Sequence, residues 1–158
     1  METSPDAPRP RPGTAADRRP PLLVSSCLLG VACTHKGEAK PSPAVQALAA
    51  DWRLIPVCPE VAGGLGTPRP AAERTTDGRV VTAAGDDVSD FYRRGAEHAV
   101  ALALATGARR AVLKARSPSC GSGRIYDGSH TGVLVDGDGT TTSALRAAGL
   151  DVVSEEGL

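Results

Sequence analysis

Four cysteines are the residues best suited to chemistry in this chain of 158 residues, and no two of them form a Cys-x-x-Cys pair. Three of them, Cys27, Cys58 and Cys120, follow short apolar runs that predict buried strands at residues 22–25, 53–57 and 111–113. Open parallel sheets bind ligands outside the carboxyl ends of their strands, and neighbouring strands lie only about 4.8 Å apart. We therefore expect these three thiols to gather around one small inorganic centre.

The third cysteine stands in an unusual exit from a strand, Ser117-Pro118-Ser119-Cys120-Gly121. Proline fixes one backbone angle and glycine frees another, so the segment is suited to presenting a thiolate. A turn with an incidental buried cysteine is the plainer interpretation, and the two other cysteines at strand ends count against it.

Thiolates are soft ligands, and this limits the kinds of metal centre that the cysteines could hold. It does not identify one, because thiolates bind zinc, copper(I) and iron–sulfur clusters alike. A structural zinc site normally has four protein ligands, and Cys33 with His35 could complete such a set. A cubane cluster held by three cysteines would leave one iron open as a Lewis acid. Beside such a centre Glu60 could move a proton and Ser117 could hydrogen-bond a ligand, although either residue could instead be a salt-bridge or turn residue.

The elements that would position these residues alternate along the chain. Helical patterns at residues 43–50, 86–106 and 140–148 separate the three strands and precede a last strand at 150–153. Residues 79–82 are predicted to form a further short strand. This alternation predicts an α/β fold: a single three-layer Rossmann-like domain with a mostly parallel sheet and helices on both faces. Pro56 indicates that the strand at 53–57 lies at an edge of the sheet or that Pro56 lies near the end of that strand, because proline has no backbone N–H to donate to a neighbouring strand.

Composition sets the outer limits of the domain and of its function. Residues 1–21 carry prolines and arginines but few bulky apolar side chains, so we expect a disordered tail before a domain at 22–158. The 18 basic and 18 acidic residues balance, which gives no support for a nucleic-acid partner. We find neither a signal peptide nor an apolar run near the roughly 20 residues that span a membrane, so a cytoplasmic protein without a membrane partner is expected. Its oligomeric state is not indicated.

Three blocks of this sequence resemble the signature blocks of the TudS-like thiouracil desulfurase family. They are Ser25-Ser26-Cys27-Leu28-Leu29-Gly30, then Cys58-Pro59-Glu60-Val61 with Gly63-Gly64-Leu65 and Pro68-Arg69, and finally Ser117-Pro118-Ser119-Cys120-Gly121. The blocks occur in the family's order, and the resemblance covers about residues 22–155.

The resemblance implies an oxygen-sensitive 4Fe-4S cluster bound by Cys27, Cys58 and Cys120. It further implies that the sulfur of a thiolated pyrimidine such as 2-thiouracil binds the fourth iron, and that water replaces this sulfur to give uracil and sulfide without net redox change. By the same resemblance Glu60 is the expected proton-transfer residue and Ser117 a contact to substrate or cluster. A Lewis-acid role for iron suits this chemistry, because a soft metal polarises a C=S bond.

One loop departs from the family pattern. The family usually continues as Cys-Arg-Tyr-Asp-Gly where this chain has Cys33-Thr34-His35-Lys36-Gly37. We expect the change to affect the substrate range more than the cluster, and Cys33 to be a bystander rather than a reserve ligand or a sulfur-relay thiol. Two other hypotheses remain: a non-enzymatic iron–sulfur or zinc module that carries cluster or sulfur to a partner, and a desulfurase of thiolated nucleosides in RNA.

Overall fold

The structure is a computed structural model that describes residues 17–158. Its strands and helices, in chain order, are β1 (Pro21–Ser25), α1 (Pro43–Ala47), β2 (Arg53–Val57), α2 (Pro59–Ala62), β3 (Ala72–Arg74), β4 (Val80–Thr82), α3 (Ser89–Thr106), β5 (Arg110–Leu113), β6 (Arg124–Tyr126), β7 (Leu134–Asp136), α4 (Thr140–Ala147) and β8 (Asp151–Ser154). Short 3-10 turns lie at Ser26–Leu29, Leu48–Ala50 and Glu155–Gly157.

The central sheet has four strands in the order β2-β1-β5-β8, and every neighbouring pair is parallel. This confirms the predicted α/β fold. Among the described residues, β2 is an edge strand with β1 as its one neighbour in the sheet, and its Pro56 pairs with Val24 of β1. Because no described strand lies on its other side, the missing N–H of Pro56 leaves no second strand without a hydrogen bond.

Helices cover both faces of the sheet, as predicted. Leu23 of β1 packs with Ala99 and Ala103 of α3 and with Leu145 of α4 on one face. The flanking residues Leu22 and Val24 face the other way and pack with Val45 of α1, Leu48 and Trp52. Successive side chains of a strand point to opposite faces, so a strand covered on both sides is apolar throughout. The run of buried residues in β1 has this origin.

Beyond the main sheet, two small antiparallel hairpins form from β3 with β4 and from β6 with β7. Only β4 was predicted as a strand. The other three strands have three residues each and were not predicted, because so short a segment shows no period. The hairpins stand beside the carboxyl edge of the sheet, where Ala72, Glu73 and Tyr126 line the cavity described below.

At the amino end, the predicted disordered tail falls mainly outside the described residues. Of its last residues, Pro20 accepts a hydrogen bond from the Arg53 amide and Pro21 is the first residue of β1. Across residues 17–158 there is no helix both long enough and apolar enough to cross a membrane.

Candidate active site

The structure brings Cys27, Cys58 and Cys120 to the wall of one cavity of about 370 Å³. Cys27 lies in the 3-10 turn after β1, Cys58 is the residue between β2 and α2, and Cys120 lies in the turn that follows β5. These three strands are neighbours in the sheet, so their carboxyl ends open onto the same space. The cavity also holds Glu60 and Ser117, the two other residues singled out in the sequence.

Burial makes the thiols of Cys27 and Cys120 poor acids in the protein without a metal. It raises the pKa of Cys27 to about 11, and the nearby Cys58 adds to the shift while Lys114 opposes it. Burial likewise raises the pKa of Cys120 to about 12, opposed by a hydrogen bond with Ser25 and reinforced by the charges of Glu60, Cys27 and Cys58. Both thiols therefore hold their protons at neutral pH, and a metal centre that binds them must displace those protons.

The donor set fits a cluster better than a single ion. Within residues 17–158, no three Cys, His, Asp or Glu side chains converge closely enough to hold one metal ion. Zinc bound to thiolates needs all its sulfur ligands about 2.3 Å from one point. A cluster several atoms across requires thiols spread around a cavity, which is the arrangement of Cys27, Cys58 and Cys120.

The turn that carries Cys120 is held by hydrogen bonds at both ends. Ser117 Oγ accepts from the amides of Ser119 at 3.1 Å and Cys120 at 3.0 Å. On the other side, the Cys120 carbonyl accepts from Thr142 Oγ1 at 2.9 Å, and the first amides of α4 donate to the carbonyls of Pro118 and Ser119. The first amides of a helix have no acceptor within the helix. In α4 they donate to the carbonyls of this turn, and these hydrogen bonds hold the turn in place.

Glycine allows α4 to approach the turn so closely. A Cβ built on Gly139 would lie 2.3 Å from the Ser119 carbonyl oxygen, and one on Gly121 would lie 2.7 Å from that of Ser117. No side chain fits at such distances. The contact of α4 with the turn therefore depends on glycine at 139, and the close contact within the turn depends on glycine at 121.

Glu60 is the centre of a polar network that adjoins the Cys120 turn. Arg69 donates from Nε to Glu60 Oε2 at 2.7 Å, and Ser117 Oγ donates to Glu60 Oε1 at 3.4 Å. The side chains of Arg69 and Glu60 are only 5% and 12% exposed. The two residues predicted to act chemically, Glu60 and Ser117, are thus brought into contact although 57 positions separate them.

Arg69 also ties the Cys33 loop to this network. Its Nη2 donates to the Cys33 carbonyl at 2.9 Å, and its backbone amide donates to the His35 carbonyl at 2.8 Å. This role of Arg69 was not predicted, although its place at the end of a long glycine- and proline-rich loop was a signal for function. His35 and Lys36, which depart from the family pattern, line the cavity as well.

Cys33 lies in the cavity wall next to Cys58. The Cys58 thiol is 3.7 Å from the Cys33 carbonyl oxygen, and burial together with the neighbouring Cys58 raises the pKa of Cys33 to about 12. None of the four cysteines is in a disulfide bond in the described part of the chain. The expectation that Cys33 is a bystander stays a prediction.

Two further residues of the cavity wall carried no signal in the sequence. Lys114 lies next to Cys27 and forms an ion pair with Glu155 at 2.9 Å, while the same carboxylate accepts from the Ala115 amide at 2.7 Å. Tyr92 of α3 looked like an ordinary apolar position of a helix, yet it lines the cavity.

Comparison with known proteins identifies the family of the chain. A family model described as 2-thiouracil desulfurase matches residues 22–157. The chain belongs to the 2-thiouracil desulfurase family. A solved structure of the [4Fe-4S]-dependent thiouracil desulfidase TudS superposes with a TM-score of 0.83 at 50% identity, covering 88% of this chain and 93% of that one. The uncharacterized protein YbbK of Bacillus subtilis is 38% identical over 146 residues, which are 87% of this chain and 97% of YbbK.

Proposed function

We propose that this protein is a 4Fe-4S-dependent desulfurase that converts a thiolated pyrimidine such as 2-thiouracil into uracil and sulfide. One observation carries the proposal: three cysteines at the ends of three adjacent parallel strands share a cavity with the Glu60–Ser117 pair. Membership of the family and the 50% identity to TudS support the same reaction.

Cys27, Cys58 and Cys120 are the residues that would hold the cluster. Three thiolates would leave one iron without a protein ligand, and the bound cluster would supply a soft Lewis acid for the thiocarbonyl sulfur. The charge of Lys114 close to Cys27 favours the deprotonated ligand.

The reaction is a hydrolysis in which no electrons are gained or lost. The oxygen of water forms a bond to the ring carbon, the C–S bond breaks, and both protons of the water end on sulfide or on the groups that carry them away. Glu60 is the carboxylate in the cavity that Ser117 contacts, so we assign it the transfer of these protons.

The surroundings of Glu60 and Ser117 suit that assignment. Arg69 holds one carboxylate oxygen in place, which leaves the other to Ser117 and the cavity. Ser117 in turn accepts from the Cys120 amide, so it links the proton-transfer residue to the turn that carries a ligand of the cluster. A protein that only carries a cluster or sulfur needs no buried carboxylate there, and this favours the enzyme over the carrier.

The size of the cavity favours a free heterocycle over a polymer. At about 370 Å³ it is near the lower limit of small-molecule pockets, which is about 300 Å³. We accordingly propose a free thiolated nucleobase as substrate. We also propose the cytoplasm as its location, because four unpaired thiols suit a reducing compartment.

The test is anaerobic purification followed by iron analysis, an absorption spectrum and measurement of sulfide released from 2-thiouracil. We expect a brown protein that releases sulfide and equal amounts of uracil. Glu60→Gln should retain iron and lose at least 100-fold in kcat, whereas Glu97→Gln, on the exposed face of α3, should match the wild type. A colourless zinc protein would refute the proposal, and an iron–sulfur protein inactive on every thiopyrimidine would favour the carrier.

A second pair of variants tests the ligand assignment. Cys120→Ser should lose the cluster, while Cys33→Ser should retain it. Iron and acid-labile sulfide per chain are the measurements. A full cluster in Cys120→Ser would overturn the assignment.

A further inference from the structure

Tyr92 has a buried hydroxyl group without a hydrogen-bond partner among residues 17–158. The residue is 2% exposed and lines the cavity that holds the cysteines. In the described part of the chain, Thr140 Oγ1 is the only side-chain oxygen or nitrogen that is both fully enclosed and unpaired. The Tyr92 oxygen makes no hydrogen bond to a described residue either, so it must remain open to the cavity.

Close packing of two helices puts Tyr92 there. A Cβ on Gly95 of α3 would lie 2.0 Å from the Pro59 carbonyl oxygen, and one on Gly63 would lie 2.0 Å from that of Phe91. The backbone of α3 is therefore in direct contact with the backbone of α2 and of Gly63, the residue that follows α2. Since Glu60 belongs to α2, this contact places Tyr92 beside Glu60 and Arg69, whose charges both act on its hydroxyl.

The two side chains that donate to Glu60, Arg69 and Ser117, are already engaged. Arg69 donates to Glu60, to the Cys33 carbonyl and to the loop at Gly66 and Thr67. Ser117 donates to Glu60. Burial and the charge of Glu60 raise the pKa of Tyr92, so its hydroxyl keeps its proton throughout the physiological range. Tyr92 is therefore a free donor, and a buried donor left without an acceptor is unfavourable.

We propose that Tyr92 determines substrate specificity by donating a hydrogen bond to the ring oxo oxygen of the bound thiopyrimidine. The inference rests on the proposed function. A 2-thiouracil molecule has a soft thiocarbonyl, which suits the metal centre, and a hard oxo oxygen, which needs a hydrogen-bond donor. A site that hydrogen-bonds a substrate group rejects the analogue without it, because its own buried polar group is then left unpaired.

The experiment compares Tyr92→Phe with the wild type on two substrates. One is 2-thiouracil, and the other is pyrimidine-2-thione, which has the same thiocarbonyl but no oxo oxygen. For Tyr92→Phe we expect kcat/KM to fall about tenfold on 2-thiouracil and to stay unchanged on pyrimidine-2-thione, as befits one hydrogen bond. Thr106→Val is the matched control, since it removes a hydroxyl at the far end of the same helix. Its selectivity should equal that of the wild type.

Two readouts do not depend on turnover. Uracil carries the oxo oxygen, so its Kd measured by calorimetry should rise about tenfold in Tyr92→Phe. The temperature of unfolding should not fall, because the hydroxyl has no partner in the described residues whose loss would destabilise the fold.

The possible results separate the two proposals. An active wild type with the same selectivity in Tyr92→Phe would overturn the role of Tyr92 and leave the desulfurase proposal standing. An equal loss on both substrates with a lower unfolding temperature would show that Tyr92 is structural, which also overturns its proposed role. If the wild type releases no sulfide from either compound, the desulfurase proposal fails and this inference fails with it.

Discussion

The buried ion pair between Arg69 and Glu60 offers a quantitative test of how the site is held together. Arg69→Met keeps most of the apolar stem of the side chain but removes the guanidinium. The carboxylate of Glu60, whose side chain is 12% exposed, is then left in the cavity wall without its counter-charge. The Cys33 carbonyl loses its 2.9 Å hydrogen bond at the same time.

Breaking a buried pair from one side costs about 3–5 kcal/mol, because an uncompensated charge stays behind. For a domain of this size each kcal/mol lowers Tm by about 2–4 °C, so a loss of 4 kcal/mol corresponds to about 8–16 °C. The assay is urea unfolding of the cluster-free protein under anaerobic conditions, followed by circular dichroism. Cluster-free protein is used so that any loss of iron does not contribute to the result.

Arg93→Met is the matched control. Arg93 pairs with Glu97 at 3.0 Å, but the two side chains are 59% and 63% exposed. A solvated pair of this kind contributes about 0–1 kcal/mol. Adding Glu60→Gln to Arg69→Met should recover part of the loss, because it removes the orphaned charge. Equal costs for Arg69→Met and Arg93→Met, or no coupling between Arg69 and Glu60, would refute the reasoning.

Three other perturbations test the parts around the thiols. Gly139→Ala should lower the free energy of unfolding by about 1–3 kcal/mol and lower the iron content, because its Cβ would lie 2.3 Å from the Ser119 carbonyl oxygen. Urea unfolding measures the loss. Gly157→Ala is the control, because a Cβ there meets nothing within 4 Å. Ser117→Ala leaves the amides of Ser119 and Cys120 without an acceptor, and we expect a loss of about 1–3 kcal/mol with weaker cluster retention in iron analysis. The cluster-free protein should lose stability as pH rises from about 9 to about 11, since the folded state holds the Cys27 proton more tightly than the unfolded chain. Urea unfolding at a series of pH values measures this as the slope of the free energy of unfolding against pH. The slope should be smaller in Cys27→Ser, and an unchanged slope would contradict this account.

The sequence was enough to predict the sheet and the location of the thiols. β1, β2, β5 and β8 match predicted strands within one residue at either end, because strands covered on both faces are recognisable as continuous apolar runs. The prediction that three cysteines at strand ends share one site requires only that the strands are parallel. It does not require knowledge of the order of the strands in the sheet. The structure shows that the three strands are neighbours.

Contacts between distant segments could not be predicted in this way. The ion pair of Arg69 with Glu60 depends on how the loop of residues 63–70 folds back, and no local pattern encodes that path. Tyr92 falls near helical spacing in the sequence, and the structure shows that it is buried on α3. Periodicity shows which face of a helix is covered, but it does not distinguish a core position from the wall of a cavity.

Glycines explain how a chain without a Cys-x-x-Cys pair can hold two of its three candidate ligands, Cys58 and Cys120, in place. In the sequence they mark turns, but Gly63, Gly95, Gly121 and Gly139 each lie where a Cβ would collide with a backbone atom. Two of these contacts join α3 to the segment after Cys58, and the other two join the Cys120 turn to itself and to the start of α4. Each of these two cysteines thus lies in a segment fixed by direct backbone contact, which flexes less than a contact between long side chains. Preorganised ligands of this kind can hold a cluster rigidly while one side of the cavity stays open to substrate.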